Sequence, residues 1–192
     1  MTRALARNAS AWLVLVAALA ASAGCSMERR APACDENDAG QPVDPALLAF
    51  LSRARSAHHA ADAHEARGDL AASAREIEAV VNGALPPGPA APEVREVLAD
   101  SLARLAELAT RANDFAAAER HVGRGLELVP EPSYFRGHLV EVRGSMEEQR
   151  SKVLEAAGDK AGAASARERA LAAFQEAMRI QDDVIKRAAP KR

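Results

Sequence analysis

The sequence predicts an all-α protein built from stacked antiparallel helical hairpins, and two observations lead to this fold class. Three turn signals, at Gly68-Asp69, Asn113-Asp114 and Gly158-Asp159, recur at an interval of 45 residues. In each of them Gly or Asn suits the left-handed backbone that ends a helix, and the following Asp can cap the next helix. Alanine, the strongest helix former, makes up about a quarter of the 192 residues. A repeated helical hairpin is typical of binding scaffolds.

The first hairpin has a clear start and a clear end. Asp44 is a suitable N-cap, and Pro45 suits the first position of a helix. Apolar residues at helical spacing predict a first helix that runs to Arg67 and a second helix over residues 69–82. Residues 85–89 read Leu-Pro-Pro-Gly-Pro, a stretch that excludes a helix interior and predicts the longest loop of the folded part.

The remaining two hairpins follow the same plan. The third helix is predicted to follow Pro92, and the fourth to cover residues 114–129. The fifth helix begins near Ser133 as its N-cap, and a long sixth helix continues to about Arg187. The sequence therefore predicts six helices in three hairpins, which together form one domain over residues 44–188.

The middle hairpin carries the most regular packing pattern: Leu102, Leu105, Ala106, Ala109, Asn113, Asp114, Phe115, Ala118, Val122 and Pro130. This pattern resembles the tetratricopeptide repeat, a helix–turn–helix unit of about 34 residues. The first unit departs from the family pattern at His64 and Ser73, and the third unit at Lys160 and Arg167. The resemblance implies a right-handed array of about three units that binds a partner protein or peptide along its first helices.

Residues 1–24 have the features of a secretory signal peptide, since basic residues precede an apolar run that is short for a membrane span. The run ends at residues 22–25, which read SAGC and resemble a bacterial lipobox, with Ser22 where that family usually has Leu. The resemblance implies cleavage before Cys25 and acylation of its thiol and amine, so the signal peptide is of the lipoprotein type. An ordinary secreted protein with an incidental cysteine is the alternative.

Residues 25–43 are predicted to form a lipidated, flexible tether, because they contain Pro, Gly, Asn and acidic residues and almost no apolar side chains. A disordered tail is expected at residues 189–192. Ser26, the non-acidic residue after the cysteine, resembles the corresponding residue of outer-membrane lipoproteins. The expected location is therefore a cell membrane, lipid-anchored through Cys25, and specifically the outer membrane facing the periplasm.

The resemblance to the tetratricopeptide repeat also implies which residues bind the partner, since that family uses the inner face of its first helices. These positions, with Ala103 and Ser145 beside them, are Arg55, His58, Asp62, Glu65, Asp100, Glu107, Thr110, Arg111, Glu148, Lys152 and Glu155. Six acids and three permanent bases give this face a charge of 3 − 6 = −3. We therefore expect a neutral or basic ligand, with an unoccupied, solvated face as the alternative.

No motif for catalysis stands out, because the sequence lacks a Gly-rich phosphate loop, a nucleophile elbow and a Ser/His/Asp arrangement. The formal charge of −2 gives no basic surplus for nucleic acid, and no cofactor is expected. The sequence therefore predicts a non-enzymatic scaffold or adaptor that holds another protein of the bacterial cell envelope.

Two alternative functions remain open. His58, His59 and His64 are the densest group of potential metal ligands, which allows a periplasmic protein that binds a metal or a small ligand. Their helical spacing supports only a weak two-ligand site, so no metal site is predicted. The second alternative is a self-associating bundle, a homo-oligomer in which the sixth helix pairs with its copy through Phe174, Ala177 and Val184.

Overall fold

The computed structural model describes residues 44–189, and this part of the chain contains six helices and no strand. The helices are α1 (Pro45–Glu65), α2 (Leu70–Val81), α3 (Pro92–Arg111), α4 (Phe115–Leu128), α5 (Tyr134–Ala156) and α6 (Lys160–Ala188). The all-helical prediction is confirmed. The predicted signal peptide, Cys25, the tether at 25–43 and tail residues 190–192 lie outside the described residues, and Ala189 ends α6 in an extended conformation.

The three predicted turns share one geometry. Their φ angles are positive, at 78° for Gly68, 60° for Asn113 and 84° for Gly158. In each turn the following aspartate accepts a hydrogen bond, at 2.8–2.9 Å, from a backbone N–H in the first turn of the next helix: Asp69 from Ala72, Asp114 from Ala117 and Asp159 from Gly162. The interval of 45 residues is therefore a structural repeat of helix end, left-handed turn and N-cap.

The helices contact one another in a regular order. The pairs α1–α2, α3–α4 and α5–α6 form hairpins, while α3 also contacts α1 and α2, and α5 also contacts α3 and α4. Within residues 44–189 the backbones of the second helices do not approach each other within 8 Å between Cα atoms. The residue numbers of contacting pairs increase together along α1 and α3, from His58 with Ser101 to Glu65 with Arg111. These two first helices therefore run parallel to each other.

Small residues bring the later helices close together. The largest core cluster joins α3, α4 and α5 and includes Ala103, Ala118, Leu139 and Met146. A Cβ added to Gly125 of α4 would lie 2.6 Å from a methyl carbon of Leu139, and one added to Gly144 of α5 would lie 2.7 Å from the ring of Phe174. Burial of these apolar surfaces stabilises the stack, and its geometry depends on residues without a Cβ.

The outward face of α6 differs from the one expected for pairing with a copy. Ala177 is buried against Val140 of α5, and Phe174 is half-buried against Gly144. The exposed large apolar side chains of this helix are Leu171, Met178 and Ile185. Helical periodicity alone misassigned the face because the stripe that includes Phe174 and Ala177 is the one that packs on α5. Among the described residues, no helix has the length and apolar character needed to cross a membrane.

Candidate functional site

A network of charged side chains joins α1 to α3 on the polar face formed by the first helices. Arg104 donates hydrogen bonds to Asp62 at 2.5 Å and to Glu65 at 2.6 Å, and Arg111 donates to the other oxygen of Glu65. Ser73 of α2 donates a further hydrogen bond to Glu65 at 3.2 Å. The structure thus brings together three of the predicted partner-binding residues, and uses them to hold two helices in place.

The environment of this network keeps it ionised. Burial alone would raise the pKa of Glu65, but hydrogen bonds from Arg104 and Arg111 outweigh it, and the pKa is lowered. Burial likewise opposes the charge of Arg104, but hydrogen bonds to Glu65 and Asp62 outweigh it and raise its pKa. Both groups are charged at neutral pH, and their paired charges offer little attraction to a ligand of either sign.

His58 lies at the edge of the same network. Its Nε2 is 3.1 Å from the hydroxyl of buried Ser101, and its Nδ1 is 3.4 Å from a guanidinium nitrogen of Arg104. Burial, and secondarily Arg104, lowers the pKa of His58 despite the opposing charges of Asp100 and Asp62. Because a guanidinium only donates, neutral His58 accepts at Nδ1 and donates from Nε2 to Ser101. This tautomer cannot take the serine proton, so the pair is not an activated nucleophile.

Asp100 and Glu107 of α3 carry the negative charges on this face that are not paired with another described side chain. Between residues 44 and 189 neither of them makes an ion pair, although Glu107 lies near His138 of α5. Glu107 is reached by water, yet the protein around it limits its hydration and raises its pKa, with a smaller contribution from Asp100. It borders a cavity of about 280 Å³ whose other lining residues are Thr110, Arg111, Val142 and Ser145.

The remaining predicted residues do not join this cavity. Glu148 pairs with Lys152 one turn away at 2.8 Å, Glu155 pairs with Arg167 of α6, and Arg55 is exposed. Ala103, which the sequence placed beside the binding residues, is fully buried in the core. Adding Arg104 and Arg167, the partners that the sequence prediction omitted, changes the charge of the face from 3 − 6 = −3 to 5 − 6 = −1. The face is therefore only weakly acidic.

The three clustered histidines have separate environments. His59 lies 3.9 Å from Asp62, and His64 lies 3.7 Å from Glu76 of α2. In the part of the chain from residue 44 to 189, no three His, Cys, Asp or Glu side chains are placed so that they could hold a metal ion.

A second charged network, which the sequence did not predict, joins α4, α5 and α6. The carboxylate of Glu147 is only 7% exposed and receives hydrogen bonds from Arg150 at 3.2 Å and Arg169 at 2.8 Å. Arg150 also pairs with Glu119 of α4 at 2.7 Å and lies over the ring of Phe115. Beside it is a cleft of about 440 Å³ lined by Glu119, Arg143, Met146, Glu147, Arg169, Ala172, Ala173 and Glu176. Every charged residue of this cleft has an ion-pair partner.

One of the omitted residues had a signal in the sequence. Arg104 follows Asp100 by four residues and precedes Glu107 by three, so it shares their helical face. The pairing of Glu147 with Arg169 had no such signal, because the two residues lie on different helices and 22 positions apart. Comparison of the chain with protein-family models, with curated proteins and with solved structures found no match.

Proposed function

We propose that this protein is a non-enzymatic scaffold whose hairpins form a right-handed, tetratricopeptide-like array, and that it binds a partner protein or peptide on the face of α1, α3 and α5. The order of helix contacts supports this proposal, because each first helix packs on both helices of the preceding hairpin, whereas the backbones of the second helices stay apart. The single observation that carries it is the cavity between α3 and α5, where unpaired Glu107 stands beside Thr110, Ser145 and the apolar wall of Val142.

The cavity suits one side chain of a bound peptide. Its volume of about 280 Å³ is at the small end of binding sites. A lysine or arginine of the ligand would pack its aliphatic chain on Val142 and place its charge near Glu107. The carboxylate of Glu107 would then form an ion pair. The partner is therefore a segment with a basic side chain, and the weak charge of the rest of the face makes long-range attraction a minor contribution.

The proposed action is binding without catalysis. The geometry of His58 and Ser101 gives no activated nucleophile, and the charged side chains of the α4–α6 cleft are paired with one another. The alternative of a metal site at His58, His59 and His64 is tested by titrating the protein with zinc in a calorimeter. Tight 1:1 binding that His64→Ala abolishes would replace the scaffold proposal.

We further propose that the protein is anchored through Cys25 and faces the periplasm from the outer membrane. Metabolic labelling with an alkyne fatty acid tests the anchor, with Cys25→Ser beside the native chain. Label on the native chain alone supports lipidation, and equal labelling of both chains contradicts it. Fractionation of the two membranes then tests the location.

Photo-crosslinking in cells tests the binding face. A crosslinking residue at Ser145, which borders the cavity, is compared with one at exposed Ala116 of α4. We expect a specific adduct at Ser145 that Glu107→Lys weakens by about 10-fold or more, because it places like charges together. Glu127→Lys, an exposed charge reversal on α4, is the matched control. An adduct that both variants leave unchanged, or that forms equally at Ala116, would contradict the proposal.

A further inference from the structure

The end of the stack is only half covered by polar side chains. Ile77 of α2 and Val122 of α4 are buried by the following hairpin, and the equivalent position 45 residues later is exposed Arg167. Four residues after each of these, Val81 and Leu126 are half-buried, whereas their counterpart Leu171 is 59% exposed. Arg167 therefore gives this face of α6 the polar surface that is typical of a terminal repeat. Leu171, on the same face, leaves an apolar side chain exposed to water.

Leu171 begins an apolar stripe along the second half of α6. Met178 and Ile185 follow at intervals of seven residues, which places all three on one side of the helix. Their exposed fractions are 59% for Leu171, 61% for Met178 and 66% for Ile185, so no described part of the chain covers them. A row of large apolar side chains in water favours association with another surface.

We propose that this stripe is an interface with a second copy of the chain, in which two α6 helices pack antiparallel about a twofold axis at Met178. Leu171 and Ile185 are each seven residues from Met178, on opposite sides of it. In the antiparallel arrangement Leu171 of each copy therefore packs on Ile185 of the other, and Met178 packs on Met178. The stripe is complementary to itself, as an isologous contact requires.

The charges beside the stripe also favour a second copy of the chain as the partner, and an antiparallel orientation of the two helices. Glu168 lies ten residues before Met178 and Lys186 lies eight residues after it, and both are exposed on the same flank of α6. Antiparallel pairing brings Glu168 of each copy within about one helical turn of Lys186 of the other, which gives two ion pairs by symmetry. A parallel pair would keep Glu168 of one copy about 27 Å along the axis from Lys186 of the other, so neither ion pair would form. Lys186 is 3.9 Å from Asp183 in the single chain, a contact loose enough to exchange.

The size of the stripe sets the strength of the contact. A stable interface buries about 800 Å² on each partner, and three side chains contribute less than that. We therefore expect a dimer that dissociates on dilution, in contrast to an obligate one.

Disulfide crosslinking on the full chain in its native membrane tests the contact. In a Cys34→Ser background that keeps Cys25 for the proposed anchor, Met178→Cys is expected to form a covalent dimer, and Arg120→Cys on α4 is the control for random collision. Coexpressed Leu171→Cys and Ile185→Cys chains are expected to crosslink with each other more than each with itself. No dimer above the control, or crosslinking of like with like, would overturn the proposal.

A charge exchange provides a second, independent measurement. Glu168→Lys in the Met178→Cys chain should lower the dimer fraction by about 5- to 10-fold at limiting concentration, because two ion pairs become two repulsions. Adding Lys186→Glu to the same chain should restore it. Both substitutions are on exposed positions, and circular dichroism verifies the fold. If the double variant stays as low as the single one, the antiparallel register is wrong.

Discussion

Glu65 and Glu147 are each held by two arginines, but in different surroundings. Glu65 is 21% exposed and joins the parallel helices α1 and α3 at the solvated face. Glu147 is 7% exposed and lies where α5 and α6 approach closely over glycine and alanine. The same ion-pair chemistry is therefore found once at a partly exposed face and once among closely packed small residues.

The difference in exposure between the two carboxylates determines how much each network contributes to stability. Near the surface, water and salt screen the ion pairs, so the first network mainly fixes the relative position of two helices. The carboxylate of Glu147 is largely removed from water, so its charge must be balanced by the two arginines, and we expect loss of this pairing to be more destabilising.

Removing the charge of Glu147 should have the largest effect. Glu147→Gln leaves Arg169 without its carboxylate, leaves Arg150 with Glu119 alone and places a buried amide group beside both arginines, so we expect a loss of about 2–3 kcal/mol in the free energy of unfolding. Urea denaturation followed by circular dichroism measures it. The neighbouring Glu148→Gln removes only an exposed pair with Lys152 and should cost about 0.5 kcal/mol or less. Equal losses in the two variants would remove the distinction between the regions.

Two glycines of α4 test whether close packing sets the geometry of the second region. Gly125→Ala places a Cβ 2.6 Å from buried Leu139, and we expect a loss of about 1–2 kcal/mol. Gly123→Ala is the matched control, since its Cβ meets no atom within 4 Å. The control should gain about 0.5–1 kcal/mol, because alanine is the better helix former. Thermal or urea unfolding of both variants gives the two signs, and a stabilising Gly125→Ala would show that α4 and α5 can move apart freely.

Glu65→Gln should cost less than Glu147→Gln, about 1 kcal/mol, because the side chain of Glu65 is more exposed than that of Glu147 and Arg104 keeps its pair with Asp62. The loss should also shrink in 1 M salt, at an ionic strength where the screening length falls to about 3 Å. Urea unfolding at low and high salt measures both effects. A loss that does not respond to salt would place Glu65 in the same class as Glu147.

The pH dependence of His58 should be the smallest effect. The folded protein lowers its pKa below 6.5, so the unfolded chain takes up the proton first as the pH falls. The stability that neutral His58 contributes is thus complete above 6.5 and is lost progressively below it. We expect the difference in unfolding free energy between the wild type and His58→Gln to become smaller as the pH falls below 6.5. An NMR titration that gives His58 a pKa at or above 6.5 would contradict this assignment.

Local structure followed closely from the sequence. Gly68, Asn113 and Gly158 end helices because few other residues tolerate a positive φ. The aspartate after each of them caps the next helix by accepting a hydrogen bond from the backbone N–H three residues later. Such interactions depend on neighbours along the chain, so they can be predicted from the sequence. The limits of the predicted helices came within two residues of the observed ones for the same reason.

The candidate site was predictable only in part. The resemblance to the tetratricopeptide repeat placed Asp62, Glu65 and Arg111 on one face. It did not show that Arg104 pairs with the two acids, and it placed buried Ala103 at the surface. The outward stripe of α6 was also misassigned. Each of these depends on how far one helix is rotated about its axis against the next.

The six helices, their caps and their repeat follow from the sequence alone, because they depend on hydrogen bonds between near neighbours and on the steric limits of φ. The tertiary structure decided which charges pair across about 40 residues, which glycines admit a neighbouring helix, and which apolar side chains remain outside. These outcomes depend on packing between surfaces that are distant along the chain. A rotation of one helix by a single residue, about 100°, would change them all without altering any local pattern.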